Sequence, residues 1–158
     1  MNKLSNYEVN LHVWASKEAL RQALIDKDIY LTRWSDDIFK KIELVTEESV
    51  VCLAGPSVSE IGFKDGAKRS EIYQKASSQK LSIVHPQVAI EFLLQHGDRL
   101  EVGQWFIVAM EPITDSDGDF LVFHVARRGD DGLWLIAGYG DPDYFWNASY
   151  RLLFSVAN

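Results

Sequence analysis

The stretch Gln104–Tyr139, QWFIVAMEPITDSDGDFLVFHVARRGDDGLWLIAGY, decides the fold class. It holds three apolar runs, Gln104–Met110, Phe120–Arg127 and Leu133–Tyr139, each rich in aromatic and β-branched residues. Asp115-Ser116-Asp117-Gly118-Asp119 separates the first two, and Gly129-Asp130-Asp131-Gly132 separates the next. Gly and Asp supply the positive φ and the local side-chain bonds that tight turns need. A fourth run, Tyr150–Val156, follows Gly140-Asp141-Pro142-Asp143. Short connections place consecutive strands side by side, so the region is expected to be an antiparallel meander.

Alternation within these runs adds a second inference. Trp105, Ile107 and Ala109 face one way, and Phe106, Val108 and Met110 the other. Trp134 and Ile136 oppose Leu133, Leu135 and Ala137. An antiparallel sheet with one wet face alternates apolar with polar residues, and these strands do not. Both faces are therefore expected to be covered, by helices, by N-terminal strands or by a second subunit. A possible homodimer follows. Only Tyr150–Val156 alternates in part, as an edge strand does.

Working back toward the N-terminus, Pro86 and Gly97 bracket the clearest helix: Pro suits a first helical position and Gly a stop. Val88, Ala89, Ile90, Phe92, Leu93 and Leu94 make it apolar over most of its circumference, so it should lie across the sheet. Gln87, Glu91 and Gln95 recur every four residues and read as its solvated stripe. A more polar helix is expected over about Ala67–Ser77, anchored by Ile72, Tyr73 and Ala76. Its start, with Lys64, Lys68 and Arg69, reads as a solvated turn.

The N-terminal part mixes strands and helices. Tyr7, Val9, Leu11 and Val13 alternate with polar residues as a half-buried strand. Ser16 caps a helix reaching Ala23–Asp26. Ile29–Trp34 reads as extended, with Ser35-Asp36-Asp37 starting a short helix to about Lys41. Ile42–Val45 and Ser49–Ala54 read as two strands, ended by Gly55-Pro56-Ser57. The expectation is one α+β domain over 1–158: an N-terminal α/β half (about 1–63), a helix pair (66–97), and an antiparallel sheet (103–157) packed against helices.

Composition narrows the function classes. The 158 residues are 47% hydrophobic and 25% charged, ordinary for a globular chain, with net charge −7. That balance repels polyanions, so no nucleic-acid partner is expected. No apolar run approaches the ~18 residues of a membrane span, and the polar start is not a signal peptide. The single cysteine, Cys52, permits no intrachain disulfide and reads as a small core hydrophobe. A cytoplasmic location is expected.

Two segments carry candidate chemistry. Tyr139, Asp141, Asp143, Tyr144, Phe145, Trp146 and Asn147 combine flat rings with hydrogen-bonding groups, the make-up of a recognition patch. The competing reading folds Tyr144, Phe145 and Trp146 back to seal the core. Asp115, Asp117 and Asp119 alternate as calcium ligands do, but lack the EF-hand glycine at position six and glutamate at position twelve. A hairpin turn is the expected reading, with a metal site only a weak candidate. If the first and third turns share a sheet end, Asp141 and Asp143 could join it. The histidines show no metal spacing, and His124 reads as a structurally satisfied strand residue. No nucleophile elbow or phosphate loop is present, and no cofactor is expected.

From about Gly62 onward the chain is similar to an uncharacterised bacterial domain family. Gly66-Ala67 with Ser70-Glu71-Ile72, then Ala109–Asp119, then Gly132-Leu133-Trp134 carry the resemblance. It implies a bacterial origin only and supplies no function. The favoured reading is a non-catalytic binding or protein-interaction module with an unknown ligand, for which a protein partner is a candidate. The alternative is a small hydrolase-like enzyme or metal-binding protein using the acidic residues at one sheet end.

Overall fold

The computed structural model describes residues 6–129 and 132–156. In chain order the elements are β1 (Asn6–Leu11), α1 (Lys17–Asp26), β2 (Tyr30–Leu31), α2 (Arg33–Phe39), β3 (Ser49–Ala54), α3 (Val58–Ile61), β4 (Ala67–Lys68) and α4 (Arg69–Ser78). They continue as β5 (Leu81–Ser82), α5 (Gln87–His96), a 3₁₀ turn (Gly97–Arg99), β6 (Trp105–Val108), β7 (Ile113–Thr114) and β8 (Phe120–Arg127). The last are β9 (Leu133–Tyr139), β10 (Phe145–Trp146) and β11 (Leu152–Val156). The fold class is α+β, as expected.

The meander forms for three strands. β6, β8 and β9 pair antiparallel, with Phe106 opposite Val125 and Val125 opposite Leu135. The fourth strand departs from expectation. β11 does not extend the meander beyond β9; it returns to lie parallel to β6 and antiparallel to β3, giving the order β1-β3-β11-β6-β8-β9-β2. It is a central strand rather than an edge. Leu152, Leu153 and Phe154 are fully buried, and its polar Ser155 sits near the strand's end. The chain from Gly140 to Arg151 is thus a long crossover rather than a hairpin turn.

The register divides the sheet into two faces. Tyr7, Phe106, Val125 and Leu135 share one, and α5 lies across it, with Phe92 meeting Tyr7 and Phe106 edge-on at 4.9 and 6.2 Å. Trp105, His124, Ala126 and Ile136 share the other, together with Phe154. There α4 covers one end, where Tyr73 packs on Phe154. The expectation that both faces are covered therefore holds for part of the sheet only.

The polar stripe of α5 is not solvated. Gln87 and Glu91 are buried. The stripe faces the strand end after β1 and serves it as a hydrogen-bonding edge. Gln95 exchanges two bonds with the Asn10 backbone, at 2.9 and 2.8 Å. Glu91 Oε2 accepts from His12 N–H (2.8 Å) and the Trp14 indole (3.0 Å). Gln87 donates to the His12 carbonyl and accepts from Val45 N–H. The Val45 bond explains why Ile42–Val45 is a loop and not the expected strand: a side chain meets its backbone need.

Several boundaries also shift. Val13 lies beyond β1 and is exposed. Ser16 caps α1 as expected, accepting from Ala19 N–H. Thr32, not Ser35, caps α2 in a reciprocal capping box with Ser35, so only Tyr30–Leu31 is strand. Gly97 has ordinary helical φ and leads into the 3₁₀ turn instead of stopping the chain. Ser57 opens the short α3 with a capping box through Glu60. Arg69 is buried, its guanidinium 4.8 Å over the Tyr73 ring, so that part of the basic segment is not solvated. Cys52 is half-buried on β3 rather than in the core. Asp130 and Asp131 lie outside the described residues. No helix among the described residues is long and apolar enough to cross a membrane.

Candidate functional site

The recognition segment divides into a buried part and an exposed part. Trp146 is 2% exposed, and its ring lies 6.2 Å from Tyr73. It seals the core, as the competing reading held for it. β10 and β4 fix it: Trp146 pairs with Ala67, and Phe145 with Lys68. Gly66, at φ +86°, lies beneath this hairpin; a Cβ there would stand 2.6 Å from both the Phe145 ring and the Trp146 carbonyl. Phe145 keeps one side in solvent. Asn147 is exposed, and its carbonyl accepts from Tyr150 N–H in the turn before β11.

Tyr139 and Tyr144 are the exposed part. Their rings lie 5.5 Å apart, and with Asp141 and Asp143 they border a shallow depression. Tyr144 N–H donates to the Asp141 carbonyl, closing the turn that brings the second tyrosine back toward the first. A third ring joins them from another part of the chain. Trp34, in the first turn of α2, lies 5.5 Å from Tyr139. Trp34, Tyr139 and Tyr144 thus form a continuous strip, exposed at 40, 38 and 43%. Large rings left in water at this extent, and in mutual contact, make an apolar patch with a polar border.

With Ser35 as the helix cap, the sequence places Trp34 in an extended segment and not at the site. Once Thr32 caps the helix, Trp34 becomes a first-turn residue and turns outward. Ser35 points inward instead and donates to the Leu135 carbonyl at 2.6 Å, pinning α2 to β9. The signal was present in Thr32-Arg33-Trp34-Ser35, where a threonine and a serine stand three apart as capping-box partners.

Beyond Trp34 lies a polar cleft of ≈ 390 Å³ bordered by Arg33, Asp36, Asp37, Lys40 and the Asp115–Asp117 turn. Its charges are largely spoken for. Asp36 pairs with Arg21 and with Lys40. Asp37 accepts from the Ser116 backbone N–H (2.9 Å) and hydroxyl (2.8 Å), which hold its carboxyl below the usual range, with Lys41 and Lys40 adding to the effect. Lys41 donates to the Thr114 carbonyl. The acidic hairpin is thereby clamped to α2.

Asp115, Asp117 and Asp119 converge, with one carboxylate oxygen from each within 4.8 Å of the others. Asp115 is buried, and its Oδ1 already accepts from Asp117 N–H (2.9 Å) and Asp119 N–H (2.8 Å). This is the local bonding of an Asx-type turn. The first and third connections do share a sheet end, since Gly140 N–H donates to the Phe120 carbonyl, yet Asp141 and Asp143 stand outside the converging group.

His124 is not a satisfied strand residue. Its Nε2 is buried without a hydrogen-bond partner among the described residues. Burial pushes its pKa down to about 4, so the ring is neutral. Comparison with protein-family models, curated proteins and solved structures finds no match to this chain.

Proposed function

We propose that this protein is a non-catalytic binding module that takes a basic peptide segment on the Trp34–Tyr139–Tyr144 strip. The observation that carries the reading is the contact of three exposed rings drawn from α2, β9 and the crossover after it. Aromatic faces attract guanidinium and ammonium groups, each contact contributing roughly 0.5–1 kcal/mol at an exposed site. Asp141 and Asp143 border the tyrosine end, and no cation lines that depression among the described residues. The net charge of −7 favours encounter with a basic partner. Rings held by α2 and β9 lose little freedom on binding, which spares part of the ordering cost.

The test uses tetra-arginine amide as probe and tetraglutamate amide as control, followed through the Trp34 indole N–H resonance. Dose-dependent shifts with the first and none with the second are expected. Tyr144→Ala should weaken binding by about 5-fold or more, a loss of roughly 1 kcal/mol. Asp141→Asn with Asp143→Asn should flatten the salt dependence. Equal response to both peptides, or unchanged affinity in Tyr144→Ala, would remove the assignment.

A further inference from the structure

The sheet face opposite α5 is covered by α4 at one end only. At the other end Trp105, His124, Ala126 and Ile136 line an open slot of ≈ 290 Å³, bordered by half-buried Arg127 and by exposed Gly103 and Arg128. The registers explain why these four side chains meet. Trp105 stands opposite Ala126, and His124 opposite both Ile107 and Ile136, so all project to the same side. Ala126 is the small residue between large neighbours, and its lack of bulk creates the depression.

The slot is walled by flat rings. Trp105 stacks on His124 with centroids 5.4 Å apart and planes 30° apart, and Tyr150 buttresses Trp105 edge-on at 5.0 Å. Gly138 makes room for this stack, since a Cβ there would stand 2.7 Å from the imidazole. Charge in the slot is one-sided. Of the two arginines at its border, Arg127 donates its guanidinium to the Leu100 carbonyl, whereas Arg128 is exposed and makes no hydrogen bond or ion pair to a side chain among the described residues. Its guanidinium lies 5.2 Å above the Trp134 ring, which holds it along the wall. No carboxylate lines the slot among the described residues.

We propose that this slot binds a small organic anion with a flat apolar body, an aromatic carboxylate, whose ring system lies against Trp105 and Ala126 and whose carboxylate meets Arg128. The volume fits a bicyclic ring system. An apolar cavity with one placed charged group is the usual make-up of a small-ligand site. The chain's overall negative charge does not defeat it, because screening confines charge effects to about 8 Å at physiological salt, and the charged residues that line the slot among the described residues are Arg127 and Arg128. The site is separate from the aromatic strip, and its test does not depend on that reading.

The probe is 1-naphthylacetate, with uncharged 1-naphthylacetamide beside it, each titrated while the Trp105 indole N–H resonance is followed. A Kd on the order of 0.1–1 mM is expected for the acid, the range for a ligand of this size, and at least 5-fold weaker binding for the amide. Arg128→Gln should remove that difference by weakening the acid alone. Ala126→Phe should fill the slot and abolish both. Arg128 is exposed, so its variant keeps the test decisive should Ala126→Phe fail to fold. No shift at Trp105 up to several millimolar, equal affinity for acid and amide, or binding untouched by either variant would overturn the proposal. So would a concentration-dependent doubling of mass that naphthylacetate does not reverse, which would assign this face to a second copy of the chain.

Discussion

The indole N–H of Trp14 donates to Glu91 Oε2 at 3.0 Å, and the backbone N–H of His12 donates to the same oxygen at 2.8 Å. One buried carboxylate on α5 therefore holds the segment that links β1 to α1. Glu91→Ala would leave both donors without that acceptor at a part-buried site. Each such orphan costs roughly 1–3 kcal/mol, so a loss of about 3 kcal/mol is expected. Glu91→Gln keeps one oxygen and should cost less, about 1–2 kcal/mol. Urea denaturation followed by tryptophan fluorescence checks this. Midpoints equal to wild type in both variants would return the stripe to solvent.

Trp146 and Tyr144 stand two residues apart and should respond oppositely to truncation. Trp146 is enclosed by the core, so Trp146→Ala should cost about 3–5 kcal/mol. Tyr144 is 43% exposed, so Tyr144→Ala should cost under about 1 kcal/mol while weakening peptide binding. Equilibrium unfolding of the two variants, run side by side, checks the division. A destabilised Tyr144→Ala protein would mean that the strip is structural.

What the sequence disclosed followed from local rules. The runs at Phe120–Arg127 and Leu133–Tyr139 were legible because period-two patterning and Gly/Asp turns act between neighbours. Ser16 was legible as a cap because capping is decided within four residues. What stayed hidden depended on distant partners. Gln87, Glu91 and Gln95 have the spacing of a wet stripe, and nothing local reveals that the Asn10–Trp14 backbone will lie against it. β11 resembled an edge because Arg151 and Ser155 flank its apolar centre, and its place between β3 and β6 is a matter of topology. In the candidate site, Tyr139 and Tyr144 could be named from one loop. Trp34 could not, because its ring joins theirs only after α2 docks on β9.

Asp115 separates a structural role from a metal-binding one. Its carboxylate accepts two backbone N–H bonds and is 4% exposed. Asp115→Ala should therefore destabilise the protein by about 1–2 kcal/mol in buffer containing a chelator, whereas exposed Asp117→Ala should stay within about 0.5 kcal/mol. Thermal unfolding with and without EDTA reads both effects. A wild-type midpoint that falls on adding EDTA would show that a divalent ion, and not the turn's own bonds, holds the loop.

His124 gives the folded state a dependence on acidity whose sign follows from burial. The unfolded chain protonates this ring near its ordinary value of 6.5, while the folded protein keeps it neutral down to about 4. Between those values the unfolded state binds the extra proton, so stability falls as pH falls. The slope is about 1.4 kcal/mol per pH unit and the total about 3 kcal/mol, complete near pH 4 and absent above about 7. His85, also held low by burial, acts in the same direction. Asp37 and Glu60, held low by hydrogen bonds from Ser116 and Ser57, contribute stability that is also lost as pH falls, beginning where an ordinary carboxylate protonates at the acidic end of this window. All three are shared with a His124→Phe variant, so the difference between the two profiles isolates His124. Urea unfolding at pH 7.0, 6.0, 5.0 and 4.5 should show wild type losing stability faster than His124→Phe. Parallel profiles would mean that the imidazole takes up its proton in the folded protein as readily as in the unfolded chain, and that the Trp105 stack does not close it off from water.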